Sequence, residues 1–141
     1  MSLFNKKAPA GVAGKQSPSD LTVLQRTALG LSARMPAGKP FSLSIVSPRS
    51  GEGRSHVAAW LAIAYARMGR SCILVDGDLR RPVLHQWFGL SNAQDLTAML
   101  EGRAEISCGQ SWDAGIDLRI VTAEEPGASQ QDPLALWQPL G

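Results

Sequence analysis

Apolar positions along this chain follow two rhythms. In Ser42–Val46, Cys72–Val75 and Leu118–Thr122 they cluster in short runs bounded by polar residues, Gly or Pro, which predicts three strands. The run at Cys72–Val75 is continuous, as expected of a strand buried on both faces of a parallel sheet. From Ser55 to Met68 the spacing changes: Val57, Leu61, Ala64, Tyr65 and Met68 recur at helical intervals, and Gly69 stands where a C-cap belongs. A parallel pair made by the first two strands needs a crossover, and this helix supplies it. Upstream, Asp20–Arg34 places Leu21, Leu24, Ala28 and Leu31 on one helical face, with Ser17 or Ser19 as cap and Pro18 in the first turn. Downstream, Pro82 opens a short helix with Val83, Leu84, Trp87 and Phe88 on its apolar side, ended by Gly89. A second short helix, Asp95–Leu100, is closed by Gly102. Residues 106–115 read as loop, with Trp112 covering an edge of the core, and 124–131 as a polar loop. Asp132 and Pro133 open a last helix, 134–138.

Organisation follows from these elements. Residues 1–16, rich in Gly, Pro, Lys and Ala, read as a disordered arm, and 17–141 as one domain. Three parallel strands with an unfinished final helix leave a strand edge uncovered, so the sequence reads as cut short at its C-terminal end.

Composition narrows the classes of function. With 44% hydrophobic and 18% charged residues in 141, the chain has ordinary globular composition and enough length for one core. A formal charge of +2 and a pI near 8.8 are too mild to argue for nucleic acid as a partner. Cys72 and Cys108 are far apart and form no CxxC pattern, which fits a reducing, cytoplasmic setting. No apolar run follows Lys6 and Lys7, and none approaches a membrane span.

The candidate chemistry lies between the first two predicted strands. Pro48-Arg49-Ser50-Gly51-Glu52-Gly53-Arg54-Ser55 occupies the strand-to-helix position of a phosphate loop, whose general pattern is GxxxxGK[ST]. Gly53 supplies the second glycine and Ser55 the hydroxyl that would sit on Mg2+; Pro48 and Arg54 depart from the pattern. Such a loop binds phosphate because unpaired backbone N–H groups and the positive end of a helix dipole converge on it. The plainer reading is a glycine-rich turn with no ligand. The second strand ends in Asp76-Gly77-Asp78, two carboxylates at the sheet edge where open α/β folds bind ligands. An acidic pair there can hold Mg2+ through its waters or orient a nucleophile; its plain alternative is a solvated turn. Arg80 and Arg81 read as a solvated helix start, and His56 and His85, which lack metal-ligand spacing, as surface or packing residues. The four tryptophans, Trp60, Trp87, Trp112 and Trp137, are scattered as packing residues would be.

At these residues a family resemblance becomes specific. The run IVSPRSGEGRSHVAAWLAIAYARMGRSCILVDGDLRRPVLHQWFGL resembles the ATP-binding core of the bacterial tyrosine kinases that serve capsule and exopolysaccharide export. That family is in turn similar to the septum-site and plasmid-partitioning ATPases. Its loop pattern SxxPGEGKS is matched by Ser47, Gly51, Glu52, Gly53 and Ser55, and its LLIDxDLRRP motif by Cys72–Pro82. The resemblance runs over residues 17 to 137. It implies an α/β fold of the P-loop NTPase type: three layers around a parallel sheet, here incomplete at the C-terminal end. It implies ATP or ADP with Mg2+ as cofactors, bound by Gly51, Glu52, Gly53, Arg54, Ser55 and the adjoining His56. It further implies Ser55, Asp76 and Asp78 around the metal, and Asp76, Asp78 and Arg54 as the residues of catalysis. A membrane polysaccharide chain-length or co-polymerase protein is the implied partner, which would hold a cytoplasmic chain at the inner membrane. Asp20 and Arg26 match two of three polar positions of the family's ExxRxxR assembly helix, with Val23 at the third, which implies a homo-oligomer through Asp20–Arg34.

The departures set the alternatives. Arg54 replaces a phosphate-contacting lysine, Ser50 a proline and Trp60 an asparagine. An ILIDTPP-type strand and a tyrosine cluster are not found, and Tyr65 is the single tyrosine. Besides a weakly active or inactive autokinase domain, two readings stand: a non-catalytic module regulating a polysaccharide-export complex, and a partitioning-type ATPase. In the latter Arg49 takes the place of a lysine that crosses to the partner's phosphates.

Overall fold

A computed structural model describes residues 18–35, 38–91, 95–105 and 109–123, with side chains from 22 onward and without that of Asp95. The predicted N-terminal arm, the caps at Ser17 and Ser19, the face positions of Asp20 and Leu21, Cys108, and the polar loop and helix of 124–138 with Trp137 lie outside the described residues or side chains.

The elements run α1 (Pro18–Arg34), α2 (Arg54–Arg67), β1 (Cys72–Val75), α3 (Leu84–Phe88), α4 (Asp95–Leu100), β2 (Gln110–Ser111) and β3 (Leu118–Val121). The α/β class is as the pattern predicts; the sheet is not. Its order is β1-β3-β2, with β1 parallel and β2 antiparallel to β3, so it is mixed rather than parallel. Gln110–Ser111, read as loop, is too short to show a period, and only its pairing with Ile120 and Arg119 makes it a strand.

Ser42–Val46, predicted as the first strand, is not one. Strand propensity is expressed only where a ladder pairs it, and residues 42–46 pair neither with β3, taken on both sides by β1 and β2, nor with the edge strand β1. Leu43 stays exposed, Val46 is 85% exposed, and Ile45 alone of the run packs inward, against α1 and α2. The parallel connection therefore runs from β1 through α3, α4 and β2 to β3, and α2, which precedes β1, does not serve as the crossover of a parallel pair.

Burial of β1 on both faces is also corrected. Leu74 is buried with its β3 neighbours Leu118 and Ile120, but Ile73 and Val75 on the other face are 43% and 42% exposed. A continuous apolar run cannot reveal which face is covered. Here α2 covers one.

α2 is the centre of the molecule. Ala59 through Ala66 are all buried, a wider apolar surface than the predicted stripe, while Val57 and Met68 at its ends are exposed. Ala59, Trp60, Ile63 and Ala66 meet the sheet and α3. Leu61, Ala64 and Tyr65 meet Ala28 and Leu31 of α1 on the opposite side. A helix covered on both sides must be apolar nearly all round. Burying a side chain such as Ile63 contributes about 1.5–3 kcal/mol. Trp60, large enough to alter the helix's seating, simply fills core; Trp112 closes the far edge, edge-on to Phe88 at 5.3 Å.

Candidate phosphate loop and acidic turn

The loop between residue 46 and α2 turns on two glycines. Gly51 has φ 82° and Gly53 φ 85°, the left-handed region open to glycine at little cost. Gly53 is the N-cap of α2 and brings no side-chain cap. The first intrahelical bond runs from the N–H of Val57 to the carbonyl of Gly53, 3.0 Å, so the N–H groups of the first turn have no partner within the helix. The loop's own bonds are few. The Ser47 hydroxyl donates to the Arg49 carbonyl at 2.9 Å, and the Arg49 N–H donates to a Glu52 carboxylate oxygen at 3.4 Å. Arg54 extends its guanidinium to the Ser47 carbonyl at 3.5 Å, a long bond that leaves the group loosely held. Ser55, half-buried, stands one residue into the helix.

The acidic turn is built differently. β1 runs on by one ladder bond, from the Asp76 N–H to the Val121 carbonyl at 2.9 Å. The Asp76 side chain, 3% exposed, then turns back into the chain. One carboxylate oxygen accepts the Asp78 N–H at 3.2 Å; the other accepts the Val83 and Leu84 N–H groups, each at 3.0 Å. Those two N–H groups open α3, whose N-cap residue, Val83, has no side chain able to cap it. Asp78 is half-buried, and its Oδ1 accepts the N–H groups of Arg80 (3.2 Å) and Arg81 (3.0 Å).

A ring contact ties the two parts together. His56, in the first turn of α2, packs against Trp87 of α3 with ring centroids 4.2 Å apart and planes tilted by 42°. The acidic turn is thereby held beside the loop's end of α2. His56 is exposed and packs, as one reading of the sequence had it, while His85 is buried. The side-chain ties of Asp76 and the His56–Trp87 contact are the features sequence reasoning missed. A carboxylate seven or eight residues ahead of a helix carries no local signature, unlike an Asx cap.

Two other groups have environments that shift their ionisation. Burial, helped by the Asp117 carboxylate, pushes the Cys72 thiol above its ordinary value. Burial lowers the Arg67 guanidinium, against the opposing charge of Asp113. Among the described residues no group of three or more His, Cys, Asp or Glu side chains comes together as a metal site. Mg2+ on a nucleotide does not require one, because it keeps several waters and takes phosphate oxygens with one or two protein ligands. Ser55 carries a hydroxyl in the first turn of α2, and Asp78 a half-buried carboxylate in the acidic turn.

Comparison with known proteins gives the family. Tyrosine-protein kinase YwqD of Bacillus subtilis is 44% identical over 59 residues, covering 42% of this chain and 25% of its own length. Tyrosine-protein kinase CpsD of Streptococcus pneumoniae is 32% identical over 97 residues, covering 68% of this chain and 41% of its own. The crystal structure of the chimerical protein CapA2B2 superposes with a TM-score of 0.64 at 29% identity, over 86% of this chain and 51% of that one. The chain belongs to the bacterial tyrosine-kinase family. No protein-family model matches it. The chain spans from about a quarter to two fifths of the length of these curated relatives. Within the family its departures take on meaning: Arg54 is a charged group resting on its own loop, and Trp60 is core.

Proposed function

We infer that residues 17–141 form a P-loop nucleotide-binding domain that takes ATP or ADP with Mg2+. The observation that carries this reading is the pair of left-handed glycines placing the uncapped N-terminus of α2, a 14-residue helix, beside the acidic turn. Backbone N–H groups of residues 51–56 would surround the phosphates, favoured by the helix dipole. Through His56 the loop gains a backbone donor, its ring being occupied by Trp87. Bound Mg2+ would neutralise charge on the phosphate oxygens. Ser55 would offer it a hydroxyl oxygen and Asp78 a carboxylate, and Arg54, swung off the Ser47 carbonyl, would bring a positive charge to the outer phosphates. The relatives' names support a place in capsule or exopolysaccharide production; a membrane co-polymerase as partner, α1 as an assembly surface and a cytoplasmic position at the inner membrane enter this proposal from the family resemblance alone. No helix among the described residues is long and apolar enough to cross a membrane.

Titration calorimetry with Mg-ADP should show binding that Ser55→Ala weakens. The absence of both heat and a thermal shift at millimolar nucleotide would overturn the reading. The non-catalytic regulatory module would then stand, a second reading favoured by the arginine at position 54. Catalysis on this chain's own tyrosine is not part of the proposal. Tyr65 is 7% exposed, with its hydroxyl buried and its ring packed edge-on against Phe41 at 5.8 Å. Incubation with Mg-ATP should leave the intact mass unchanged at Tyr65; a phosphate mapped there would require α2 to unfold.

A further inference from the structure

We propose that Trp87 is a positioning residue for the nucleotide: through its ring contact with His56 it fixes the first turn of α2, and with it the open phosphate loop, against α3. The positioning role rests on the nucleotide reading above; the contact itself does not. The first turn of α2 lies outside the core. His56 and Val57 are exposed, Arg54 and Ser55 are half-buried, and continuous burial begins at Ala59. Gly53 brings no side chain to cap the turn, and the Arg54 guanidinium reaches the Ser47 carbonyl at a loose 3.5 Å. α3, in contrast, is anchored. Leu84 and Phe88 are buried in the core shared with α2 and the sheet, and Trp87 packs against that core. The indole is thus held from the core side, and the exposed His56 ring rests on it with centroids 4.2 Å apart. The contact draws an exposed turn onto an anchored helix at the residue next to Ser55. A loop already held near one arrangement gives up less freedom on binding an anion than one that must first be ordered. An aromatic pair of this kind shifts an equilibrium by about two- to tenfold, which sets the affinity it can contribute.

His56→Ala removes the contact from an exposed position and leaves the backbone N–H in place; His56→Phe restores a ring without the imidazole. NMR on the full chain, with no nucleotide, tests the contact. The His56 ring protons should be displaced by the indole ring current, and Trp87→Leu, which keeps apolar bulk against the core, should return them to free-histidine positions. Undisplaced protons in the wild type overturn the contact. Mg-ADP is then titrated calorimetrically into each form. His56→Ala should bind about two- to tenfold more weakly, and His56→Phe about as tightly as the wild type. Trp87→Leu should weaken binding to the same extent as His56→Ala, and the two together no further, because both remove one interaction. Should Trp87→Leu not fold, the His56 variants decide. A contact that serves stability alone would lower the unfolding midpoint of His56→Ala and leave ADP affinity unchanged, which overturns the positioning role. A loss that His56→Phe fails to restore, or losses that add, overturn it too, since the imidazole itself would then be serving the nucleotide. ADP that binds to no form overturns the role together with the nucleotide reading, while the His56 resonances still decide the contact.

Discussion

The loop at 47–55 and the turn at 76–84 both lead the chain into a helix, yet they are held in opposite ways. The loop relies on backbone freedom. Two left-handed glycines shape it, its side-chain bonds are long or few, and the helix it opens has no side-chain cap. The turn relies on a buried side chain: three N–H groups converge on Asp76, and α3 is capped from seven and eight residues upstream. A loop built from glycine keeps its N–H groups available to an incoming anion. A turn built around its own carboxylate has already spent them on an internal one. Neighbouring segments of one candidate site thus divide recognition from rigidity.

Mutations can break that contrast. The largest effect expected is on the rigid side. Asp76→Asn removes charged hydrogen bonds worth about 1.5–3 kcal/mol each, so a loss of about 3 kcal/mol in denaturant unfolding is expected. Asp78→Asn, in a more exposed turn, should cost less than about 1 kcal/mol. Equal losses would dissolve the distinction.

On the open side, Arg54→Lys restores the family's residue and frees the Ser47 carbonyl from the guanidinium. One charged hydrogen bond to phosphate is worth about 1.5–3 kcal/mol, so ATP affinity should rise by about tenfold to a hundredfold with little change in stability. Weaker binding would mean that the loop has adapted to arginine.

Gly53→Ala compares strain with recognition. A Cβ there meets open space, so the cost is the left-handed backbone alone, about 1–2 kcal/mol. Gly89→Ala, at φ 64° behind α3 and also with room for a Cβ, should cost a similar amount. Nucleotide affinity should fall only in Gly53→Ala. A parallel fall in Gly89→Ala would show that binding senses general stability rather than the loop.

The smallest effect tests the sheet that carries the turn. The folded chain holds the Cys72 thiol proton more tightly than the unfolded chain does. Its contribution is therefore complete below the ordinary thiol range and declines as pH rises above about 8.5. Denaturant unfolding between pH 7 and 10 should show a slight alkaline loss that Cys72→Ala flattens. An unchanged alkaline limb would assign the loss to other groups.

Much of the fold and site is legible in the residues. The spacing of Leu24, Ala28 and Leu31 locates α1, the apolar run from 57 to 68 locates α2, and Gly69, Gly89 and Gly102 stand at left-handed positions where helices end. The Gly51–Ser55 run and the two aspartates come from local pattern too, because glycine freedom and a carboxylate at a strand end are properties of single positions. What tertiary structure alone decides is pairing and partnership. Whether 42–46 joins a ladder depends on a pairing its own residues do not determine, and Gln110–Ser111 becomes a strand only because Ile120 and Arg119 lie opposite. Which face of β1 is buried depends on where α2 settles. Asp76 is told apart from Asp78 by the amides of Val83 and Leu84, and His56 meets Trp87 across 31 positions of chain. Periodicity and composition report a residue's own preference. The bonds that distinguish these groups belong to pairs, and the pairs exist only once the chain has closed on itself.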